Sequence, residues 1–262
     1  MVYFVLGDIM VVDVLGTSCT WFKRKNTAFV LDKKIVFDTP AGSYKDLIKI
    51  VDVFDLEAVI ITHFHSDHFS DLHCIAAQMI RHAQRMGRTR KLKIYGPAGI
   101  AQRLVEFNKL QECHQRECVV ENFLETIEFI EVKDCDTFEL DDYVVNVYAM
   151  QHGIVCYGFL FTDKKTGKRY GFTADTAVCE NLENMAASSD YLFADMALAD
   201  ADVAKYSFRA IKVHTTYSEF VELTEKYPNV IMYPVHTCDE NQEKAKAEGL
   251  NVLEDGQELI LK

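Results

Sequence analysis

Residues 59–72 read VIITHFHSDHFSDL, and no other stretch of the chain narrows its possible folds as much. Val59 to Ile61 form a short apolar run of β-branched residues, the pattern of a buried strand. Three histidines and two aspartates follow within nine positions. The end of a strand at a sheet edge is a usual place for a grafted site. His63 and His65 lie two apart and can project the same way from an extended segment, whereas Asp67 and His68 come as the chain turns into a helix. Neutral imidazoles suit zinc and comparable metals, and a carboxylate can ligate an ion or handle a proton. Four residues cannot enclose and bridge metal ions alone, so the spacing predicts partners elsewhere in the chain.

The rest of the pattern supplies strand ends for those partners. MVVDVLG, TAFVLD, KIVFDT and EAVIIT read as strands in the first third, followed by a helix over 70–86 with Leu72, Ile75, Ala76, Met79 and Ile80 on one face. LKIYGP is a further strand, and AGIAQRLVEF a helix with Pro97 near its start. Between 125 and 173 the strands TIEFIEV, TFEL, YVVNVYAM, VCYGFLFT and RYGFTA recur, the last two joined by a hairpin turn at TDKKTGKR. YLFAD, NVIMYPV and NVLED are expected as strands, with helices near 218–226 and 242–248. Two sheets packed face to face with helices outside, an α/β architecture in one domain spanning 1–262, is the expected fold.

Three of these strand ends terminate in ligand-type side chains: His152 in AMQHGIVCYGF, Asp175 in YGFTADTAV and His236 in VIMYPVHTCDE. Any one alone would read as a capping aspartate or a buried core histidine. Together with the opening cluster they complete a set of seven.

That set resembles the metallo-β-lactamase superfamily, whose HxHxDH signature appears as His63-Phe64-His65-Ser66-Asp67-His68. VLGTS, FDTPAG, IYGPAGI, QHGIVCYGF, ADT and the HTT at His214 are similar to segments of its ribonuclease Z and small phosphodiesterase group. The resemblance implies a four-layer αββα sandwich of two mixed sheets. It also implies two divalent ions, zinc by preference with manganese or iron as alternatives. His63, His65 and His152 would hold one, Asp67, His68 and His236 the other, and Asp175 would bridge them. A metal-bridging hydroxide would then be the nucleophile. Asp67 would also orient that nucleophile, and His214 is the candidate general acid or phosphate binder.

Two departures bear on the substrate. Only 22 residues separate His152 from Asp175, too few for the arm with which ribonuclease Z grips tRNA. The family's His-Glu pair after the Asp-Thr motif is replaced by FADMALAD, in which Asp195 is the candidate for part of its role.

With 40 acidic against 28 basic residues, the chain does not have the charge of a general nucleic-acid coat. One local basic stretch, 79–93, offers Arg81 and Arg85 as candidate substrate contacts, the alternative being a solvated helix end. The eight cysteines are scattered singly, without a CxxC pair, and read as reduced cytoplasmic thiols. Cys113 and Cys118 around His114 read as helix-face residues. Neither a secretory leader nor a membrane helix is expected.

The expected function is hydrolysis of a small-molecule phosphodiester, with RNA as a further candidate substrate and a homodimer as a candidate assembly. Ester, lactone, thioester or sulfate-ester hydrolysis on the same fold is the alternative, and a non-catalytic metal-binding module a third. A basic cluster in the cleft would favour phosphate; an apolar cleft lined by Phe64, Phe69 and Tyr157 would favour an acyl substrate.

Overall fold

The computed structural model describes residues 9–86, 90–110, 124–206 and 211–262. Two mixed sheets face each other. The first has the order β13-β1-β2-β3-β4-β5-β6 among the described residues. Its strands are β1 (Met10–Gly16), β2 (Ala28–Leu31), β3 (Ile35–Phe37), β4 (Ala58–Ile60), β5 (Leu92–Gly96), β6 (Ile127–Glu131) and β13 (Glu258–Leu261). The second has the order β12-β11-β10-β9-β8-β7. It comprises β7 (Thr137–Glu139), β8 (Tyr143–Ala149), β9 (Tyr157–Asp163), β10 (Arg169–Phe172), β11 (Tyr191–Asp195) and β12 (Ile231–Val235).

Helices α1 (Ser43–Ile50), α3 (Leu72–Met86) and α4 (Ile100–Leu110) pack on the outer face of the first sheet through Leu47, Leu72, Ile75, Ala76, Ile100 and Leu104. Helices α5 (Glu180–Ser188), α6 (Tyr217–Lys226) and α7 (Asp239–Ala247) cover the second through Leu182, Met185, Phe220, Leu223 and Ala245. A four-residue helix, α2 (Ser66–Phe69), carries part of the HxHxDH motif. The expected αββα sandwich is the observed architecture. Central strands β2, β3 and β4 are buried on both faces, which is why they read as unbroken apolar runs.

Between the sheets lies an aromatic core. Phe172 and Phe193 stack at 4.5 Å and 7°, with Phe29 5.4 Å from Phe193 and Phe37 5.1 Å from Phe172. These rings, from β2, β3, β10 and β11, lie beneath Asp38, His68, Asp175 and His236. The strands that run parallel to their neighbours, β3, β4, β5 and β6 in one sheet and β10, β11 and β12 in the other, end at the same edge of the sandwich. Just past three of those ends, Asp38, Ala174 and His236 adopt left-handed backbone with φ of 59°, 55° and 55°. Non-glycine residues pay about 1–3 kcal/mol for such conformations, and they persist where surrounding structure over-determines them.

Two expectations need correction. NVLED is not a strand: Asp255 accepts hydrogen bonds from Thr17 Oγ1 and Lys25 N, and Gly256 turns the chain at φ 84°. The edge strand is the following ELIL, β13, antiparallel to β1. Helices α1 and α5 were not anticipated as elements. Cys113, His114 and Cys118 lie outside the described residues. Among the described residues no helix is long and apolar enough to cross a membrane.

Asp13 on β1 is opposite Glu258 on β13 and is 7% exposed, with Oδ2 buried and without a hydrogen-bond partner. Burial pushes its carboxyl up; Glu258 and Asp32 add to this and Lys33 opposes it. A raised folded-state value means that stability is full below the ordinary carboxyl range and is lost as pH rises through the folded value. Asp13→Asn therefore raises Tm at pH 8 by about 2 °C and removes part of the decline between pH 4 and 8, measured by thermal melts across that range.

Candidate metal centre and cleft

The β4 end delivers the first ligands. Thr62 donates its N–H and its hydroxyl to Asp38, at 2.9 Å each, which fixes the chain as it leaves the strand. His63 follows, fully buried, and α2 then turns Asp67 and His68 back towards the same edge. His152 arrives from the β8–β9 loop, Asp175 after β10 and His236 after β12.

Their polar atoms form two groups. In the first, His65 Nδ1 is 3.0 Å from His63 Nε2 and 3.1 Å from His152 Nε2, and Asp175 Oδ2 is 3.7 and 3.8 Å from those two Nε2 atoms. In the second, His236 Nε2 is 3.4 Å from both His68 Nε2 and Asp67 Oδ2, while Asp175 Oδ1 is 3.3 Å from His68 Nε2 and 3.5 Å from His236 Nε2. Donor atoms held about 2.1 Å from a tetrahedral ion lie about 3.4 Å apart, so both groups have the spacing of a coordination shell. Asp175 contributes one oxygen to each.

The far sides of the rings settle which nitrogens face inward. His68 Nδ1 donates to Asp38 at 2.7 Å and His152 Nδ1 to the Val213 carbonyl at 3.0 Å, leaving each Nε2 with a lone pair directed at the cluster. Burial holds the His63, His65 and His152 imidazoles below the usual histidine value, hence neutral and able to ligate. For Asp175, burial alone would push the carboxyl up; His236, His68 and His63 outweigh it and hold the group ionised. Burial likewise opposes ionisation of Asp67, which His236, His68 and a 2.5 Å hydrogen bond from Thr20 keep well below the carboxylate range.

Charge supplies the decisive test of fit. Asp38, Asp67, Asp175 and Asp195 are all at most 9% exposed, and no lysine or arginine is buried among the described residues. Asp175 Oδ1 is also buried without a hydrogen-bond partner. Such carboxylates need cations or protons, and the mixed imidazole and carboxylate donor set suits zinc, manganese or iron. The residues fit divalent metal ions.

His214 sits over this cluster, its ring 5.3 Å from His236 and 5.2 Å from His152. Its Nδ1 donates to Asp195 Oδ2 at 2.8 Å. Asp195 is fully buried at the end of β11 and also accepts the N–H groups of Thr176 and Ala197. Around these groups opens a cleft of about 670 Å³, walled by Trp21, Phe22, Ile154, Val203, Ile211 and Val213. Trp21 is 88% exposed.

The family model for anti-Pycsar protein Apyc1 matches residues 20–259. This chain belongs to that family. The Apyc1-family chain is also 29% identical over 144 residues to ribonuclease Z of Myxococcus xanthus, a match covering 55% of this chain and 42% of the relative. The chain thus spans less than half the length of that curated relative. Among solved structures, the metallo-β-lactamase fold protein YhfI of Bacillus subtilis superposes with a TM-score of 0.72 at 15% identity, covering 97% and 99% of the two chains. Human tRNase Z, short form, gives 0.70 at 19% identity over 95% and 98%. The fold is that of the metallo-β-lactamase fold proteins.

In this Apyc1-family chain the seven expected ligands converge, and His214 joins them. Asp195 is placed behind His214, out of reach of the cleft. Arg81 does not line the cleft: it is exposed on α3, nine residues and about 14 Å along the axis from Leu72. The side chain of Arg85 lies outside the described residues. Phe64 and Phe69 pack on each other at 5.4 Å within the helix-covered core, and Tyr157 packs on the inter-sheet core, so none of the three lines the cleft. Trp21, Phe22 and Asp38 were not anticipated in these roles. For Asp38 the signal was present: it directly follows β3, as Asp175 follows β10 after Thr173 and Ala174.

Asp38→Ala leaves His68 without its acceptor and Thr62 without its anchor. Losses of 10- to 100-fold in metal affinity are typical for such partners. Metal titration followed by elemental analysis should therefore show about one ion per chain retained at concentrations that saturate both groups in the parent protein.

Proposed function

We propose that this chain is a metal-dependent hydrolase that cleaves phosphodiesters at two divalent ions. The observation that carries the reading is a buried carboxylate shared between two ligand groups, with a carboxylate-anchored histidine standing over both. His63, His65 and His152 would hold one ion and Asp67, His68 and His236 the second, with Asp175, which has one oxygen near each group, as their shared ligand. When bound, a pair of such ions supplies Lewis-acid stabilisation of a phosphoryl group and acidifies water near neutral pH.

The chain's own groups supply the rest. Thr20 donates to Asp67 Oδ2, fixing the rotamer of a carboxylate that faces His236 from the opposite side. Asp195, held by Thr176 and Ala197, accepts the Nδ1 proton of His214, and so directs the other ring nitrogen towards the cleft. His214 thereby acts as the general acid that returns a proton to the departing oxygen, and Asp195 is its positioning residue. The names ribonuclease Z and tRNase Z among the relatives favour the phosphodiester over other esters. With 22 residues between His152 and Asp175, the substrate assigned is a small phosphodiester in preference to tRNA.

A second reading, hydrolysis of a carboxylic, thio- or sulfate ester, draws on the apolar wall of Trp21, Phe22, Ile154 and Ile211. The same wall suits the organic part of a diester equally well.

Protein reloaded with zinc or manganese turns over bis(p-nitrophenyl) phosphate, and His65→Ala loses at least about a hundredfold in rate. Absence of phosphodiester turnover in every metal form, with turnover of a carboxylic ester, transfers the assignment to the second reading. His214→Ala separates further: p-nitrophenolate leaves without a proton, so the loss on that substrate stays small. On a dialkyl diester, whose alkoxide needs one, the loss reaches about 10²-fold or more.

A further inference from the structure

Lys212 is the one lysine or arginine among the described residues that line the cleft; its other charged lining groups are Asp67, Asp175, Asp202 and the histidines. It stands two positions before His214 on a stretch tied to the metal ligands. Gln151 donates to the Lys212 carbonyl at 3.1 Å, and His152 donates to the Val213 carbonyl at 3.0 Å. The Lys212 backbone is therefore placed by the same loop that places His152, and its ammonium is the part free to choose a partner.

That partner is Glu219 Oε2, with each side chain 31% exposed. Glu219 also belongs to the capping box of α6: its Oε2 accepts from Thr216 N at 2.9 Å and Thr216 Oγ1 at 3.1 Å, and Thr216 Oγ1 in turn accepts the Glu219 N–H. If the ammonium swings away, Glu219 keeps two hydrogen bonds and contact with water. Exchanging this partly exposed pair for an anionic substrate therefore costs little.

We propose that Lys212 is the residue that selects an anionic substrate, by leaving Glu219 to take a non-bridging oxygen of the phosphodiester held at the metal centre. The inference rests on the phosphodiesterase reading and deepens it. It assigns to the cleft the charge recognition that Arg81 is too remote to provide, and gives the apolar wall a complementary function in seating the organic substituents. Lys212 and Glu219 behave as a two-position arrangement, with the carboxylate holding the ammonium until an anion enters the less solvated cleft. A hydrogen bond to a fully charged acceptor in the less solvated cleft outweighs the exposed ion pair that it replaces.

Three variants test this. Lys212→Met removes the charge but keeps the stem; Lys212→Arg keeps the charge; Glu219→Gln removes the competing carboxylate while glutamine still closes the capping box. Each is loaded with zinc. Binding of diphenyl phosphate, an anionic diester that lacks a good leaving group, is measured by calorimetry at low and high salt, alongside KM and kcat for bis(p-nitrophenyl) phosphate. Lys212→Met is expected to weaken diphenyl phosphate about tenfold and raise KM by a similar factor, with the larger effect on KM than on kcat. Its binding also loses part of its salt dependence. Lys212→Arg restores most of the affinity, and Glu219→Gln binds more tightly than the parent. Unchanged affinity in Lys212→Met, or weakening with undiminished salt dependence, overturns the proposal. Lysine-dependent binding of diphenyl phosphate without turnover of any phosphodiester would instead uphold Lys212 and overturn the phosphodiesterase reading.

Discussion

Four carboxylates buried at one edge, with no lysine or arginine buried among the described residues, set the terms for this molecule. Asp38, Asp67, Asp175 and Asp195 sit at one edge of the sandwich, where desolvation of even one unpaired ion costs several kcal/mol. Asp195 meets that cost with two backbone amides and His214, and Asp38 with Thr62 and His68. Asp67 and Asp175 meet it only in part from the protein: Asp175 Oδ1 has no hydrogen-bond partner. Burial works against a charge on His68 too, yet Asp175 and Asp38 outweigh it and favour protonation. A divalent ion satisfies the same electrostatic demand with far more charge. The carboxylates thus fall into two kinds, those that the fold neutralises itself and those that it leaves for metal.

The sandwich makes this arrangement sustainable. Phe29, Phe37, Phe172 and Phe193 stack beneath the ligands and hold the ends of β2, β3, β10 and β11 in a rigid array. On that support the chain can afford left-handed backbone at Asp38, Ala174 and His236, each at the turn where a strand gives way to a ligand or its orienting partner. Arg24 adds a cross-tie, donating to Thr17 Oγ1 and to the Thr237 carbonyl beside His236 while pairing with Asp239. Strain at the edge is thereby opposed by packing at the centre.

Much of this could be read from the chain because strand ends leave a local signature. An apolar run followed by a histidine or aspartate is visible at Val59–His63, Phe172–Asp175 and Val235–His236, and a long-range set of ligands follows once several are seen together. Residues that act across the fold leave no such trace. Asp38 has a strand end before it but no ligand spacing, and its importance appears only when His68 and Thr62 are seen on either side. Arg81 shows the opposite case: near the motif in sequence, it is exposed on α3 and does not line the cleft. NVLED failed because hydrogen bonds of Asp255 to Thr17 and Lys25, made only in the folded state, overrode an apolar pattern of marginal length.

Substrate recognition divides along the same line between what the core builds and what the loops add. The proposed ligands come from strand ends and from the short helix α2 that follows β4, so they sit on rigid elements suited to a reaction common to many substrates. Trp21 and Phe22 come from the β1–β2 loop, and the Ile211 and Lys212 side chains from the stretch before α6, so the side chains that line the rest of the cleft come from loops. Thr20 and His214 join the two sets: Thr20 ties the aromatic loop to Asp67, and His214 ties the second stretch to Asp195. A change in the first loop is consequently felt first at Asp67, and one in the second stretch at His214 and at His152, which the Val213 carbonyl holds, before it reaches His68, anchored by Asp38. That ordering would let the proposed metal centre serve different organic groups while the arrangement of its own ligands stays constant.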